Sequence, residues 1–93
     1  MTRPTLAEPI TVAEWWKNRR GESIRVTIST WKDRNLIDVR TWGPDPAEGR
    51  LKPTTKGFAA ELRHLPKLVS ALTKAESRAR ELGLIKNDAE GDQ

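Results

Sequence analysis

Apolar and polar residues alternate from Ser23 to Trp42, and this pattern predicts two half-buried β-strands. The first strand carries Ile24, Val26, Ile28 and Thr30 on one face and Arg25, Thr27, Ser29 and Trp31 on the other. The second carries Ile37, Val39 and Thr41 on one face and Leu36, Asp38, Arg40 and Trp42 on the other. Because the polar residues 32–35 between them are typical of a tight turn, we expect an antiparallel hairpin.

Glycine and proline interrupt the chain after the hairpin, which predicts short elements. Residues 43–49 are expected to form an exposed loop, since glycine and proline supply most of its length. Residues 50–52 would form a short strand that Pro53 ends, and residues 54–57 would form a turn. A further strand is expected from residue 58 to residue 62.

A C-terminal helix is predicted over residues 64–82, where apolar residues recur every three or four positions. The stripe consists of Leu65, Leu68, Val69, Leu72, Ala75, Ala79 and Leu82. Pro66 suits the first turn and Gly83 suits the C-terminal cap. Such a helix is about 28 Å long, which leaves apolar surface for a second copy of the chain. The residues expected at this dimer interface are Leu65, Val69, Leu72 and Ala79.

Residues 10–22 admit two interpretations. Thr11 and Glu14 match a capping box, which favours a short helix that ends at Gly21. The alternation of polar and apolar residues over positions 10–14 favours a strand instead.

The 93 residues suffice for one small domain, which we place at residues 23–83. A flexible leader is expected at residues 1–9, the N-terminal extension at 10–22 and a polar, disordered tail at 84–93. Only 35% of the residues are hydrophobic and 32% are charged, so one chain has little material for a core. A partner subunit or a ligand is therefore expected.

Several classes of function are excluded or disfavoured by what the chain contains. It has no cysteine and one histidine, which rules out disulfides, thiolate metal sites and multi-histidine cages, and no cofactor is expected. No nucleophile accompanies His64, and Asp38 is expected to pair with a neighbouring arginine, so no catalytic residue is assigned. Since no apolar run could span a membrane or act as a secretion signal, a cytoplasmic location is expected.

The positive charge of the chain is concentrated in its centre. The formal net charge is +4, and residues 17–56 hold ten basic and five acidic side chains. This excess favours a polyanionic partner, although a basic surface without a specific ligand is the alternative.

Tryptophans accompany the basic residues. Trp31 and Trp42 fall on the polar faces of the two hairpin strands, whereas Trp15 and Trp16 are adjacent, so at least one of these two is expected in core packing or a dimer contact. The basic residues near the first pair are Arg25, Lys32, Arg34, Arg40, Lys52 and Lys56. Cations that follow phosphates, interleaved with flat aromatic side chains that stack on bases, are typical of single-stranded nucleic acid binding. The alternative is that Trp31 and Trp42 cap the hydrophobic core.

The run from Ile24 to Arg40, IRVTISTWKDRNLIDVR, resembles the first hairpin of the positive cofactor four family of transcriptional coactivators. The segments Asp45-Pro46, Gly49 to Pro53 and Lys56-Gly57-Phe58 are similar to the family's next conserved stretch. The resemblance covers about residues 23–80 and is to the short bacterial branch.

The resemblance implies an α+β fold, in which a curved antiparallel sheet of about four strands is followed by a C-terminal amphipathic helix. It also implies a non-enzymatic homodimer that binds single-stranded DNA with little sequence preference and acts in transcription regulation or in DNA replication and repair. RNA and the transcription machinery are further candidate partners, and a protein-bridging adaptor that uses the helix stripe is the alternative function.

Positions that match the family's motif are Trp31, Lys32, Arg34, Arg40, Lys52 and Lys56. The family's second aromatic position falls at Gly43, one residue after Trp42, and a one-residue shift in a strand reverses the face. Thr55 stands where the family often has a basic residue.

Overall fold

The structure is a computed structural model that describes residues 4–86. The chain divides after Leu62 into two compact units. The first unit is a four-stranded antiparallel sheet with the strands in chain order. Its strands are β1 (Ile10–Trp16), β2 (Ser23–Trp31), β3 (Arg34–Asp45) and β4 (Arg50–Glu61). A 3-10 turn (Leu62–His64) leads into the helix α1 (Leu65–Glu81), so the predicted α+β architecture is confirmed.

In the hairpin of β2 and β3, the apolar and polar residues lie on the two sides of the sheet that their alternation predicted. Val26 pairs with Val39 and Ile28 pairs with Ile37, so the β-branched side chains of the two strands share one face. The turn is tighter than expected, because only Lys32 and Asp33 separate the strands.

The N-terminal extension forms a strand, so the helix interpretation of residues 10–16 is wrong. β1 pairs antiparallel with β2, from Ile10 opposite Ile28 to Trp16 opposite Ser23. Its β-branched and aromatic residues suit a pleated surface, and pairing with β2 satisfies the backbone groups that a helix would have bonded internally. The capping-box pattern at Thr11 is therefore overridden by the neighbouring strand.

β3 and β4 are longer than the glycine and proline positions predicted. β3 continues through residues 43–45, which had been expected to lie in a loop, and the remaining turn is short. Pro44 is tolerated there because β3 pairs beyond Trp42 with β4 alone. Pro53 likewise lies inside β4, an edge strand, so the two short strands predicted over residues 50–62 are one strand.

An irregularity in β4 accommodates the segment that had been predicted as a turn. Arg40 lies opposite Gly57 and Trp42 lies opposite Pro53, so residues 54–56 of β4 face the single residue Thr41. Extra residues on one strand bend it locally and increase its twist.

The helix has the expected extent. Pro66 lies in its first turn, and Gly83, at φ +75°, donates its N–H to the Arg80 carbonyl just beyond the last turn. Val69 and Leu72 of the apolar stripe are each more than half exposed. No helix within residues 4–86 is both long enough and apolar enough to cross a membrane.

The predicted leader is partly held by the hairpin. The Leu6 N–H donates to Thr30 Oγ1 at 2.8 Å, and the Asn35 side-chain amide donates to the Pro4 carbonyl at 3.0 Å. Residues 1–3 of the leader and residues 87–93 of the tail lie outside the described part of the chain.

The described chain buries very little apolar surface, as its composition predicts. Ile37, at 3% exposure, is the sole apolar side chain that counts as buried within residues 4–86. Large apolar side chains remain exposed on both units. On the sheet they include Ile10, Trp15 and Phe58.

Candidate nucleic-acid interface

One face of the sheet carries most of the basic and aromatic residues that the sequence singled out. Arg25 lies opposite Arg40, Trp31 opposite Arg34, and Ser23 opposite Trp42, and the alternation along each strand puts these residues on one side. We call this surface the basic–aromatic face, and define it by Arg25, Trp31, Arg34, Arg40 and Trp42.

Trp31 and Lys32 form the tip of this face, at the turn of the hairpin. Both turn residues, Lys32 at φ +50° and Asp33 at φ +64°, have the left-handed backbone conformation that a two-residue hairpin turn of type I′ requires. This conformation holds the Lys32 ammonium 4.7 Å from the centre of the Trp31 ring, within the range of a cation–π contact. The Trp31 side chain is 59% exposed, so its ring is accessible to a ligand.

Arg34 extends the charge of the tip onto β3. Its Nε lies 3.7 Å from a Glu61 carboxylate oxygen, and its side chain is about two-thirds exposed. Exposed ion pairs of this kind contribute little to stability. The Arg34 guanidinium is therefore available to an anion that competes with Glu61.

Arg25 and Trp42 form a second cation–π pair in the middle of the face. The Arg25 guanidinium carbon lies 4.4 Å from the centre of the Trp42 ring. Trp42 is half-buried and on the same side as Arg25, so the predicted side of Trp42 is confirmed even though the family's aromatic position falls at Gly43. The Arg25 Nε also lies 3.0 Å from Oε1 of Glu14 on β1.

Arg40 is the most restrained cation of the face. Its Nε donates to both Asp38 carboxylate oxygens, at 3.0 and 3.1 Å, and its Nη1 donates to the Thr54 carbonyl at 2.9 Å. The hydrogen bond to Asp38 raises the pKa of Arg40, against a smaller opposing effect of burial. The expected pairing of Asp38 with an arginine is thus confirmed, and an anion would have to displace a carboxylate to reach this guanidinium.

Lys52 is not brought together with the other cations, whereas Lys56 shares a groove with Arg40. Lys52 lies opposite Gly43, whose place in the alternation puts it on the opposite side of the sheet from Trp42. Lys56 belongs to the irregular segment of β4 and lines a groove of about 260 Å³ together with Arg40, Ile24 and other residues.

The ammonium of Lys52 is also occupied by two carboxylates. It lies 2.9 Å from Asp45 Oδ2 and 2.9 Å from Glu48 Oε2. Hydrogen bonds to Glu48, the larger cause, and to Asp45 raise the pKa of Lys52. The hydrogen bond from Lys52 is in turn the main reason that the pKa of Asp45 is lowered. Lys56 is exposed, and its charge helps to lower the pKa of Glu22, for which the hydrogen bond from Asn18 is the largest cause.

Sequence reasoning missed the contribution of β1 to this face. Glu14 lies opposite Arg25, and Trp16 lies opposite Ser23, which in turn pairs with Trp42. Trp16, Ser23 and Trp42 therefore lie side by side on three neighbouring strands, and Trp16 is on the same side of the sheet as the basic–aromatic face. The adjacency of Trp15 and Trp16 was the available signal, because two neighbouring residues of a strand point to opposite sides.

No metal centre is evident in the part of the chain that the structure describes. No cluster of three or more histidine, aspartate or glutamate side chains has metal-binding geometry among these residues. His64 is the N-terminal cap of α1 and makes no side-chain capping bond.

Structural comparisons place the fold among solved proteins. A PC4 homolog from Burkholderia pseudomallei K96243, in an orthorhombic crystal, aligns with a TM-score of 0.63 and 23% identity over 78% of this chain and 96% of that one. Its tetragonal crystal form gives the same TM-score and identity over 74% and 98% of the two chains. The bacteriophage T5 homolog of the eukaryotic transcription coactivator PC4, implicated in recombination-dependent DNA replication, aligns with a TM-score of 0.58 and 25% identity over 83% and 86%.

Sequence comparison identifies the family. No curated protein matches the chain significantly. The family described as Transcriptional Coactivator p15 (PC4) matches residues 17–71, which include β2, β3, β4 and the start of α1. This is the family that the hairpin and loop motifs resemble. Since the match covers more than half of the sequence, the chain belongs to the Transcriptional Coactivator p15 (PC4) family.

Proposed function

We propose that the protein is a non-enzymatic, homodimeric single-stranded DNA-binding protein that acts in transcription regulation or in DNA replication and repair, at the nucleoid in the cytoplasm. The observation that carries the proposal is the pairing of an exposed aromatic ring with a cation at the tip of the basic–aromatic face, Trp31 with Lys32. The family's description as transcriptional coactivators and the replication role of the phage T5 homolog support the two processes.

Base stacking would be provided first by Trp31. Its indole is more than half exposed and is oriented by the turn, so little conformational entropy is lost when a base stacks on it. Stacking of one base on an aromatic side chain contributes about 1–3 kcal/mol and does not depend on the base. Lys32, beside the same ring, would contact the phosphate of the stacked nucleotide.

The other cations would differ in the free energy that phosphate binding costs, because some of them must first release a carboxylate. Arg40 would exchange the carboxylate of Asp38 for a phosphate. Ion pairs that solvent reaches are weak, so this exchange costs little where the side chains are partly exposed. The proposed binding residues are Arg25, Trp31, Lys32, Arg34, Arg40, Trp42, Lys52 and Lys56, of which Lys52 is expected to contribute least because two carboxylates hold it.

Homodimer formation is supported by the apolar surface that the single chain leaves exposed. On α1 these residues include Val69 and Leu72, and Leu82 follows its last turn. A stable interface buries about 1,200–2,000 Å² in total and is apolar at its centre. We propose that a second copy covers the helix stripe through Leu65, Val69, Leu72 and Ala79.

The DNA-binding proposal is tested by titrating a labelled 12-nucleotide single strand, and the matching duplex, at several salt concentrations. We expect tighter binding of the single strand and a linear fall of log K with log salt. Trp31→Ala should weaken the single-strand complex by about 1–3 kcal/mol, whereas Trp31→Phe keeps an aromatic platform and should lie near the wild type. Equal affinity of Trp31→Ala and wild type would refute the stacking site.

The phosphate contacts are tested by the salt dependence of the same titration. Lys56→Ala should lower the salt slope by about 1 unit, because it removes one exposed phosphate contact. Lys52→Ala should lower it by less, since its partners Asp45 and Glu48 already neutralise the ammonium. The reverse order would show that Lys52 and not Lys56 follows the DNA.

The dimer is tested by sedimentation equilibrium on the wild type and on Leu72→Glu. We expect a dimer for the wild type and a monomer for the variant, because a carboxylate at Leu72 would be buried without a partner. A wild-type monomer would refute the homodimer and leave the helix stripe for another protein, which is the bridging alternative. An RNA strand of the same sequence in the titration separates RNA from DNA binding.

A further inference from the structure

A groove of about 320 Å³ lies at the end of the sheet opposite the Trp31 turn. It is lined by Glu14, Trp15 and Trp16 of β1, Ser23 and Arg25 of β2, and Leu51 of β4. Trp31 lies eight positions after Ser23 on β2, which is about 26 Å at 3.3 Å per residue. The groove is therefore a separate place on the same face, and its β1 wall precedes the segment that matches the family.

Two polar atoms in this groove lack the hydrogen bonds that buried atoms normally have. Ser23 Oγ and Arg25 Nε are both buried, and neither has a hydrogen-bond partner within residues 4–86. The Arg25 Nε lies near the Glu14 carboxylate, but that ion pair does not have hydrogen-bond geometry. Buried polar groups without a hydrogen bond are costly and rare, so the unpaired Ser23 hydroxyl, in the groove that also contains the Arg25–Glu14 ion pair, indicates a polar ligand.

The chemistry of the walls favours a nucleobase over a phosphate. Trp16 is 68% exposed and offers a flat ring on which any base can stack. The edge of a base carries both acceptors and donors, which fits the Arg25 N–H, the Ser23 hydroxyl and the Glu14 carboxylate together. A phosphate would instead be repelled by Glu14, whose side chain is more than half exposed at the mouth of the groove.

We propose that the groove is a second base-binding subsite, in which Trp16 stacks on a base and Ser23 and Arg25 hydrogen-bond to its edge. The subsite rests on the proposed single-stranded DNA binding and extends it from the Trp31 tip to the far end of the sheet. One strand that reached both places would run for about 26 Å along β2. At 3.4 Å for each stacked nucleotide this corresponds to about eight nucleotides.

The test compares Trp16→Ala, Trp16→Phe and Ile10→Ala in the titration with the 12-nucleotide single strand. Ile10→Ala is the matched control, since it removes an exposed apolar side chain of β1 that does not line the groove. We expect Trp16→Ala to lose about 5- to 150-fold in affinity with no change in salt slope, while the other two bind like the wild type. A lower salt slope for Trp16→Ala would place a phosphate in the groove and overturn the assignment to a base.

Failure of the subsite can be told apart from failure of the proposed function. If Trp31→Ala weakens binding but Trp16→Ala binds as Ile10→Ala does, the subsite is refuted and the function stands. If the wild type does not prefer the single strand, the function itself is refuted.

A second measurement uses the wild type alone, so it does not depend on whether a variant folds. It follows the NMR resonance of the Trp16 indole N–H. This resonance should shift when the 12-nucleotide strand is added, and an unmoved signal at saturation overturns the subsite.

Discussion

Gly57 is the position where the structure allows least change, and Gly57→Ala should destabilise the sheet strongly. A Cβ at this residue would lie 2.4 Å from the Val39 carbonyl oxygen and 2.6 Å from the Arg40 Cα. Both are backbone atoms of β3, so neither can move aside by rotating a side chain. The backbone of Gly57 also has φ +148°, which residues with a side chain rarely adopt.

The size of the effect follows from these two contributions. Forcing an extra methyl group into a packed contact costs about 1–3 kcal/mol, and a strained positive φ costs about 1–2 kcal/mol. Gly57→Ala should therefore lower the free energy of unfolding by about 2–5 kcal/mol, a large part of the 5–15 kcal/mol typical of small domains. Since Gly57 lies opposite Arg40, single-strand binding should weaken as well.

Urea unfolding, followed by tryptophan fluorescence, measures the loss at one fixed protein concentration, because a dimer's stability depends on concentration. Gly49→Ala is the matched control, since Gly49 has φ +71° but no atom within 4 Å of a Cβ. It should cost only the backbone contribution of about 1–2 kcal/mol. If the two variants lose equal stability, the close approach of β4 to β3 at Gly57 is not the cause and the reasoning fails.

Three other changes have defined outcomes. Asp33→Gly should stabilise the protein by about 0.5–1 kcal/mol in urea unfolding, because glycine adopts the left-handed turn conformation without strain; a less stable variant would contradict this. Asp38→Asn should free Arg40 for phosphate and steepen the salt slope of single-strand binding by up to about 1 unit, and an unchanged slope would show that Arg40 does not contact DNA. Because the pKa of Asp45 is lowered in the folded state, its stabilisation is present above the carboxyl's ordinary pKa and is lost as the pH falls below about 4. Lys52→Met removes the main cause of that lowered pKa, so its urea midpoint should fall less between pH 6 and pH 3 than that of the wild type.

The hairpin and the helix could be predicted because their patterns are local. The alternation along residues 23–42 and the three-and-four spacing of the apolar residues in 65–81 each contain enough information to choose the element and its buried side. For the same reason the sides of Arg25, Trp31, Arg40 and Trp42 were predictable.

The errors arose where a strand depends on its neighbour. β1 matched a helix signal at Thr11, and only pairing with β2 decided in favour of a strand. Pro44 and Pro53 indicated strand ends, yet both lie inside strands. At each proline the strand pairs with a neighbouring strand on one side only, so a residue without an N–H is tolerated there. The end of a strand at a proline can be predicted only if the position of that strand in the sheet is known.

By itself, the sequence determined the fold class, the family, the sides of the hairpin and the scarcity of core. The tertiary structure decided which cations meet on one face: it separated Lys52 from Arg25 and Arg40, and it brought Trp16 and Glu14 to them. The physical reason is that side chains alternate along a strand, so the side of the sheet on which a residue lies follows from its place in its own strand. The pairing of one strand with another depends on backbone hydrogen bonds between distant residues, and an irregularity such as that at 54–56 changes the β3 partner of every β4 residue beyond it.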